Sequence, residues 1–247
     1  MCTEADLFTQ RDSSYLGDCP ICCLPLPIDR SKSGLMGCCF QLICMGCHYA
    51  NQKREIEGRL EPRCAYCREP LPKSEEEALN NLKNRMKKNC PVAMCRMGKK
   101  CYEEGNYKSA LEYFTKAAEL GDANAHYELS IMYREGDGIE KDKKKYLYHT
   151  EEAAIAGHPM ARHNLGYEEA GNGRFQRAKK HYIIAANLGY QNSLNGLRQL
   201  HADGHASKEE YFNALRAYQA AVDATKSRER EEGEAYHRAV VAATQRS

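Results

Sequence analysis

Between residues 92 and 224, pairs of alanines alternate with aromatic and branched positions at a long, near-constant period. Ala117-Ala-Glu-Leu-Gly121, Ala153-Ala-Ile-Ala-Gly157 and Ala185-Ala-Asn-Leu-Gly189 recur at intervals of 36 and 32 residues, and Ala220-Ala221 follows 35 residues beyond the last pair. Neighbouring positions agree: Ala125-His-Tyr-Glu-Leu129 matches Ala161-Arg-His-Asn-Leu165, and Tyr133-Arg-Glu-Gly-Asp-Gly138 has its counterpart in Tyr167-Glu-Glu-Ala-Gly-Asn-Gly173. A fixed period of this size marks stacked supersecondary units. Each unit reads as helix, glycine turn, helix. Alanine and glycine let the helices approach closely, while Tyr113, Phe114, Leu129, Tyr146, Leu165, Tyr182, Leu215 and Tyr218 fill the layers. The second recognisable unit is shorter, and the last has Ala224 where the others have glycine, so it reads as a cap.

Upstream of the repeats, Pro70 and Pro72 stop regular structure and open a linker. Ser74-Glu-Glu-Glu77 then reads as a capping box, with acids at the positive helix end and Lys83, Arg85, Lys87 and Lys88 towards the other. Leu79, Leu82 and Met86 line one face, which predicts a short amphipathic helix packed on a neighbouring domain. Beyond Ala224 the charges alternate in sign through Lys226-Ser-Arg-Glu-Arg-Glu-Glu-Gly-Glu234, the pattern of a solvated helix that frays at its end.

Composition changes this picture in one respect. Apolar residues make up 42% and charged residues 28% with a net charge of +2, so no basic stripe points to nucleic acid. No stretch approaches the roughly 18 apolar residues of a membrane span, and no basic-then-apolar leader opens the chain. A cytosolic or nuclear location is expected. The thirteen cysteines are therefore read as metal ligands before disulfides, and nine of them fall between Cys19 and Cys67. Cys19-Pro-Ile-Cys22, Cys44-Met-Gly-Cys47 and Cys64-Ala-Tyr-Cys67 are CxxC knuckles, and Cys38-Cys39 adds a fourth pair. Two intervening residues let a tight turn aim both thiolates at one tetrahedral ion about 2.3 Å away. Cys90, Cys95 and Cys101 lack that spacing and read as buried apolar residues. His126, His163, His181, His201 and His205 fall on helices of different repeats and read as surface or layer residues.

The cysteine segment resembles a RING finger of the all-cysteine type, over about a fifth of the chain. The resemblance implies a small α+β domain around two structural zinc ions, one on Cys19, Cys22, Cys44 and Cys47 and the other on Cys38, Cys39, Cys64 and Cys67. A domain this small draws its folding free energy from the metal. The adjacent Cys38-Cys39 pair departs from the usual spacing, and Cys23 and His48 are its possible substitutes. In the family, the domain docks a ubiquitin-charged conjugating enzyme and catalyses by positioning. Ile21 and the residue at position 65 would contact that enzyme, and Arg68 would be the linchpin whose guanidinium bridges enzyme and ubiquitin. Ala65 stands where proline is expected, and Asn51 where an apolar residue is expected.

The repeats resemble the Sel-1-like subfamily of tetratricopeptide-like repeats, which implies an all-α solenoid with a concave partner-binding face. The expected order is a disordered N-terminus (1–17), a RING-type module (18–70), a linker helix (71–90), the repeat domain (91–224) and a charged C-terminal helix or tail (225–247). The expected function is that of a RING-type ubiquitin-protein ligase whose repeats hold a protein substrate or adaptor. The alternative is a noncatalytic zinc-finger adaptor.

Overall fold

The computed structural model describes residues 7–9 and 15–244. The chain divides into two units, Met1–Tyr15 with Met86–Ala221, and Leu16–Arg85 with Val222–Ser247.

The first unit is a stack of helical hairpins. Its helices are α3 (Pro91–Glu103), α4 (Tyr107–Glu119), α5 (Ala123–Glu135), α6 (Lys143–Ile155), α7 (Pro159–Gly171), α8 (Phe175–Asn187), α9 (Gln191–Ala202) and α10 (Lys208–Ala224). The start signals are local. Pro91 and Pro159 occupy first turns, where a missing N–H costs nothing. Asn106, Asp122 and Asp142 accept hydrogen bonds from first-turn amides of α4, α5 and α6. At the other ends, the glycines of the repeated alanine motif, Gly121, Gly157 and Gly189, take the left-handed conformation that ends a helix.

Within each hairpin α3 packs on α4, α5 on α6 and α7 on α8; α4–α5, α6–α7 and α8–α9 join the hairpins. The predicted alanines make this possible, since Ala117, Ala125, Ala153, Ala161 and Ala185 are all fully buried, and so are Ala110 and Ala178. Tyr182 shows how tight the stack is: a Cβ added at Gly166 would lie 2.6 Å from its ring, and one at Gly196 2.7 Å. Phe114, Leu129, Tyr146, Leu165 and Tyr182 are buried as layer residues, whereas Leu215 and Tyr218 are partly buried beside the last cluster, around Leu197, Leu200 and Ala214.

Of the N-terminus expected to be disordered (1–17), residues 1–6 and 10–14 lie outside the described residues, while Leu7, Phe8 and Tyr15 pack on the hairpins. Leu7 is buried among Ala153, Ala154, Ala161 and Leu165.

The second unit is built on a two-stranded antiparallel hairpin, β1 (Ser33–Leu35) and β2 (Leu42–Cys44), in the register Ser33↔Cys44 and Leu35↔Leu42. Helix α1 (Met45–Glu57) follows β2 directly, capped by the Cys44 sulfur. Leu26, Met36, Ile43, Ala65 and the cysteines form a small core. Helix α2 (Glu75–Met86) opens with the expected Ser74 cap: Glu77 N–H donates to Ser74 Oγ at 3.1 Å, and Lys73 N–H donates to Glu77 Oε2 at 2.9 Å. Arg85 near its end donates to the Cys38 carbonyl at 3.2 Å.

The segment after Ala224 is α11 (Arg228–Thr244), and the expectation of a wholly solvated, fraying helix needs correction along its first half. It crosses α1 at two glycines. A Cβ on Gly46 would meet Arg230 backbone at 2.8 Å, and one on Gly233 would meet the Met45 carbonyl at 2.6 Å. Tyr49 and Tyr236 pack with ring centroids 4.8 Å apart, and Lys32 pairs with Glu234 at 3.1 Å. The alternating charges do face water, yet Arg230 is 3% exposed because the crossing brings its backbone against Gly46.

Candidate metal centres and the repeat surface

Three tight turns in the second unit share one backbone device. Cys23 N–H donates to the Cys19 carbonyl, Phe40 N–H to that of Met36 and Arg68 N–H to that of Cys64, and Cys23, Phe40 and Arg68 all have positive φ. The left-handed residue turns the chain back just after the second thiol of each knuckle. By this alignment Cys39 is equivalent to Cys22 and Cys67, whereas Met36 stands where the other turns have their first cysteine. Cys38, one residue ahead of Cys39, supplies the missing thiol. The fourth pair uses the helix instead: Cys44 caps α1 by accepting from Cys47 N–H at 3.4 Å.

The structure brings the eight predicted cysteines together in two groups, Cys19/Cys22/Cys44/Cys47 and Cys38/Cys39/Cys64/Cys67, whose sulfurs all lie within 4.8 Å of one another in each group. Four sulfurs about 2.3 Å from a tetrahedral zinc would be separated by about 3.8 Å. The Cys22–Cys44 and Cys39–Cys64 sulfurs are 3.8 Å apart, and Cys38–Cys67 are 3.4 Å apart. These separations exceed the roughly 2.05 Å of a disulfide. The donor set thus fits a thiophilic ion, and both centres could hold one. Cys23 is exposed, and both it and the half-buried His48, whose imidazole burial and His237 push down, lie outside both groups. Among the described residues no other group of three or more His, Cys, Asp or Glu side chains brings its ligand atoms as close together as these two.

The electrostatics of the thiols fit the same reading. Burial, followed by neighbouring thiols, pushes Cys38 and Cys47 up strongly and Cys39 up to about 11. Four sulfurs held this close ionise together only around a cation. Cys22 behaves differently: burial raises it, but the Leu24 backbone, Arg230 and the adjacent thiols outweigh that and hold it down to about 7. Arg230 reaches this centre from α11, donating through Nη2 to Cys22 Sγ at 3.3 Å and to the Leu24 carbonyl at 3.0 Å. Its Nη1 donates to the Pro25 and Thr225 carbonyls, both at 2.7 Å. No local pattern announces this residue, because it lies in a charge run that otherwise faces water.

The residues expected to meet a conjugating enzyme are placed unevenly. Ile21 is 42% exposed at the tip of the first knuckle, and Tyr66 is equally open on the last. Ala65 is buried in the core. Arg68 is on the surface, with its Nη1 bound to Asn51 Oδ1 at 2.7 Å. Asn51 is itself a buried hub of α1: its Nδ2 donates to Glu55 Oε1 at 2.8 Å and to the Arg63 carbonyl at 3.0 Å, and its Oδ1 also accepts from Arg54. The position at which the RING resemblance would put an apolar contact is thus the tie between α1 and the loop preceding the last knuckle.

On the repeat unit the surface is rich in rings. His126 and His149 face each other with Nδ1 atoms 3.1 Å apart, and Tyr133 stacks on His149. His163 bonds Ser193 Oγ at 3.0 Å, His201 bonds the Ala206 carbonyl at 2.8 Å, and His205 stacks on Phe175. His181 alone of the five singled-out histidines is fully buried. Cys95 and Cys101 are buried in α3 as apolar residues, and Cys90 precedes that helix.

Residues 91–122, 123–158 and 159–190 each match the family model of the Sel1 repeat. These segments correspond to the hairpins α3–α4, α5–α6 and α7–α8. The HcpC protein of Helicobacter pylori is 34% identical over 55 residues, 22% of this chain and 19% of that one. Chitin synthase regulatory factor 4 of Schizosaccharomyces pombe is 31% identical over 115 residues, 44% of this chain and 18% of that one. The chain therefore spans about a fifth of the length of the curated relatives it matches. A Sel1 repeat protein from Oxalobacter formigenes, solved by crystallography, is 29% identical, with 49% of this chain and 97% of that one covered at a TM-score of 0.45. No helix among the described residues is long and apolar enough to cross a membrane. Residues 91–190 of the helical unit form three hairpins that match the Sel1 repeat, stacked as a helical solenoid, and the two thiol clusters belong to the other unit.

Proposed function

We propose that this protein is a noncatalytic adaptor, in which a RING-like zinc module and a Sel1 solenoid each hold a protein partner. The module comprises residues 18–70, with one zinc on Cys19, Cys22, Cys44 and Cys47 and a second on Cys38, Cys39, Cys64 and Cys67. Four thiolates close each ion, so zinc serves structure and offers no open position for chemistry. The repeat domain, 91–224, contributes an extended surface that buries a partner without a catalytic pocket.

The observation that carries this reading is Asn51. The ligase reading needs an apolar side chain there, facing a conjugating enzyme, yet Asn51 is buried and its amide is committed to Glu55, Arg63, Arg54 and Arg68. Ala65 is buried and has little surface to offer in place of the expected proline. What favours the second reading, a ubiquitin-protein ligase, is that Ile21 and Arg68 are on the surface at the two positions where docking and linchpin contacts are expected.

One assay separates them. Zinc-loaded full chain is incubated with ubiquitin, activating enzyme and a panel of conjugating enzymes, while a tagged copy is used to recover partners from cells. The adaptor reading expects recovered partners and no ubiquitin chains with any conjugating enzyme. Chain formation that Arg68→Ala abolishes would replace it with the ligase.

A further inference from the structure

The hydrophobic site on α6, α7 and α8 that holds Leu7 is built for a backbone as well as a side chain. Arg162 is buried, yet it carries a guanidinium into this core. Its Nη2 donates to the Ala154 carbonyl at 2.8 Å, and its Nη1 donates to the main-chain carbonyl of Leu7. A solenoid that only needed to close its own layers would have no use for a buried cation aimed at a carbonyl from another segment, since burying a charge is costly unless it is hydrogen-bonded.

The next residue is read just as specifically. The Phe8 ring lies 4.7 Å from the ring of His181, with the Arg177 guanidinium 5.1 Å and the Lys180 ammonium 4.9 Å from its centroid. A ring between a neutral imidazole and two cations gains both packing and cation–π attraction. Neither nitrogen of His181 has a hydrogen-bond partner among the described residues. Arg162, Arg177 and Lys180 bring three cations to this face, beside Glu169, which pairs with Arg177 at 3.0 Å and also with Arg174, and Glu151, which lies within electrostatic reach of Arg177. In sequence, Leu7-Phe8 follows Glu4 and Asp6.

We infer that this face of the repeats is a recognition site for a short acidic–Leu–Phe segment of a partner protein, and that the chain's own Leu7-Phe8 fills it in cis until such a partner competes. Leucine enters the alanine-lined hollow, its carbonyl takes the Arg162 donor, and phenylalanine lies between His181 and the two cations. The inference rests on the reading of the solenoid as a partner-binding scaffold and names the partner's chemistry. A competitor must offset the high effective concentration of the tethered segment.

The test uses a fluorescein-labelled peptide of the sequence of residues 3–10 and the full chain. Fluorescence anisotropy should show binding to a Leu7→Ser/Phe8→Ser chain at least ten-fold tighter than to the wild type, whose site is filled. A peptide with alanine for the phenylalanine should lose at least ten-fold, and Lys180→Glu in the double variant should weaken binding several-fold. If the double variant misfolds by circular dichroism, a protease site placed between Gln10 and Ser14 of the wild type serves instead, with exchange for the labelled peptide expected only after cutting. No binding to a folded double variant, equal binding to both chains, or no exchange after cutting overturns the proposal. If partners are still recovered from cells in that event, only this site is refuted; if none are recovered, the scaffold reading falls as well.

Discussion

Arg230 and Cys22, separated by 208 positions, are joined by a guanidinium–sulfur hydrogen bond of 3.3 Å. A four-thiolate zinc centre carries excess negative charge, and an outer-shell donor both spreads that charge and fixes the ligand's orientation. With zinc bound, Arg230 would do this while also satisfying the Leu24, Pro25 and Thr225 carbonyls. Arg230→Ala should therefore accelerate zinc loss from the first centre by roughly ten-fold and destabilise the module by about 1–3 kcal/mol, the cost of orphaned buried acceptors. Release to a chromogenic chelator measures the first effect and denaturant titration the second. A variant that keeps its zinc as long as the wild type would remove Arg230 from the centre's design.

Metal removal should act on one unit only. The module's core is a handful of side chains beside the cysteines, so each ion is expected to contribute on the order of 10 kcal/mol of folding free energy. Chelation should abolish amide protection across residues 18–70 and leave the repeat helices protected, as read by hydrogen exchange. Elemental analysis should give two zinc ions per chain, reduced to one in Cys38→Ser and unchanged in Cys23→Ser. A full complement of zinc in Cys38→Ser would show that another residue completes the second centre.

Gly166 faces the Tyr182 ring so closely that even one methyl group has no room. Alanine is the better helix former by up to about 1 kcal/mol at an unconstrained site. Here overpacking should win, with Gly166→Ala lowering stability by about 1–3 kcal/mol. Thermal melting of Gly166→Ala beside Gly171→Ala, where a Cβ meets nothing within 4 Å, separates the two effects. Equal melting temperatures would mean the tyrosine ring simply moves aside.

The repeat unit should weaken in acid. Burial, with Arg162 and Arg177 adding repulsion, pushes His181 down to about 3 from an ordinary 6.5, and burial with His126 and Lys145 takes His149 to about 4. Each imidazole is neutral when folded and protonates more readily when unfolded. Their stabilisation is therefore complete above about pH 6.5 and falls as pH drops towards the folded values, by up to about 1.4 kcal/mol per pH unit for the fully buried His181 and by less for the partly exposed, solvent-screened His149. Urea titrations at pH 7 and pH 5 should show the loss, and His181→Leu should reduce the slope. An unchanged slope in that variant would contradict the burial of a neutral ring.

Much of the architecture is legible in local pattern. A CxxC knuckle is decided within a few residues, because the turn that aims two thiols at one ion needs nothing from the rest of the chain. The alanine pair ending in Gly121, Gly157 or Gly189 is equally local, combining close helix contact with a left-handed stop. Even the irregular Cys38-Cys39 pair could be placed with the second group, although why it fits there became clear only when Phe40 was seen to repeat the turn of Cys23 and Arg68.

The amino-acid sequence by itself determined where thiols cluster, where helices start and stop, and that hairpins repeat, since each depends on neighbours within a turn or a period. Only the tertiary structure decided what Asn51, Arg230 and Leu7-Phe8 do. Asn51 looks like a lost contact until its partners across the loop are seen, Arg230 like one more solvated charge, and Leu7-Phe8 like part of a loose end. The physical reason is common to all three: hydrogen-bond satisfaction of a buried polar group is set by atoms brought together from distant positions, and no periodicity along the chain records which carbonyl or sulfur will arrive.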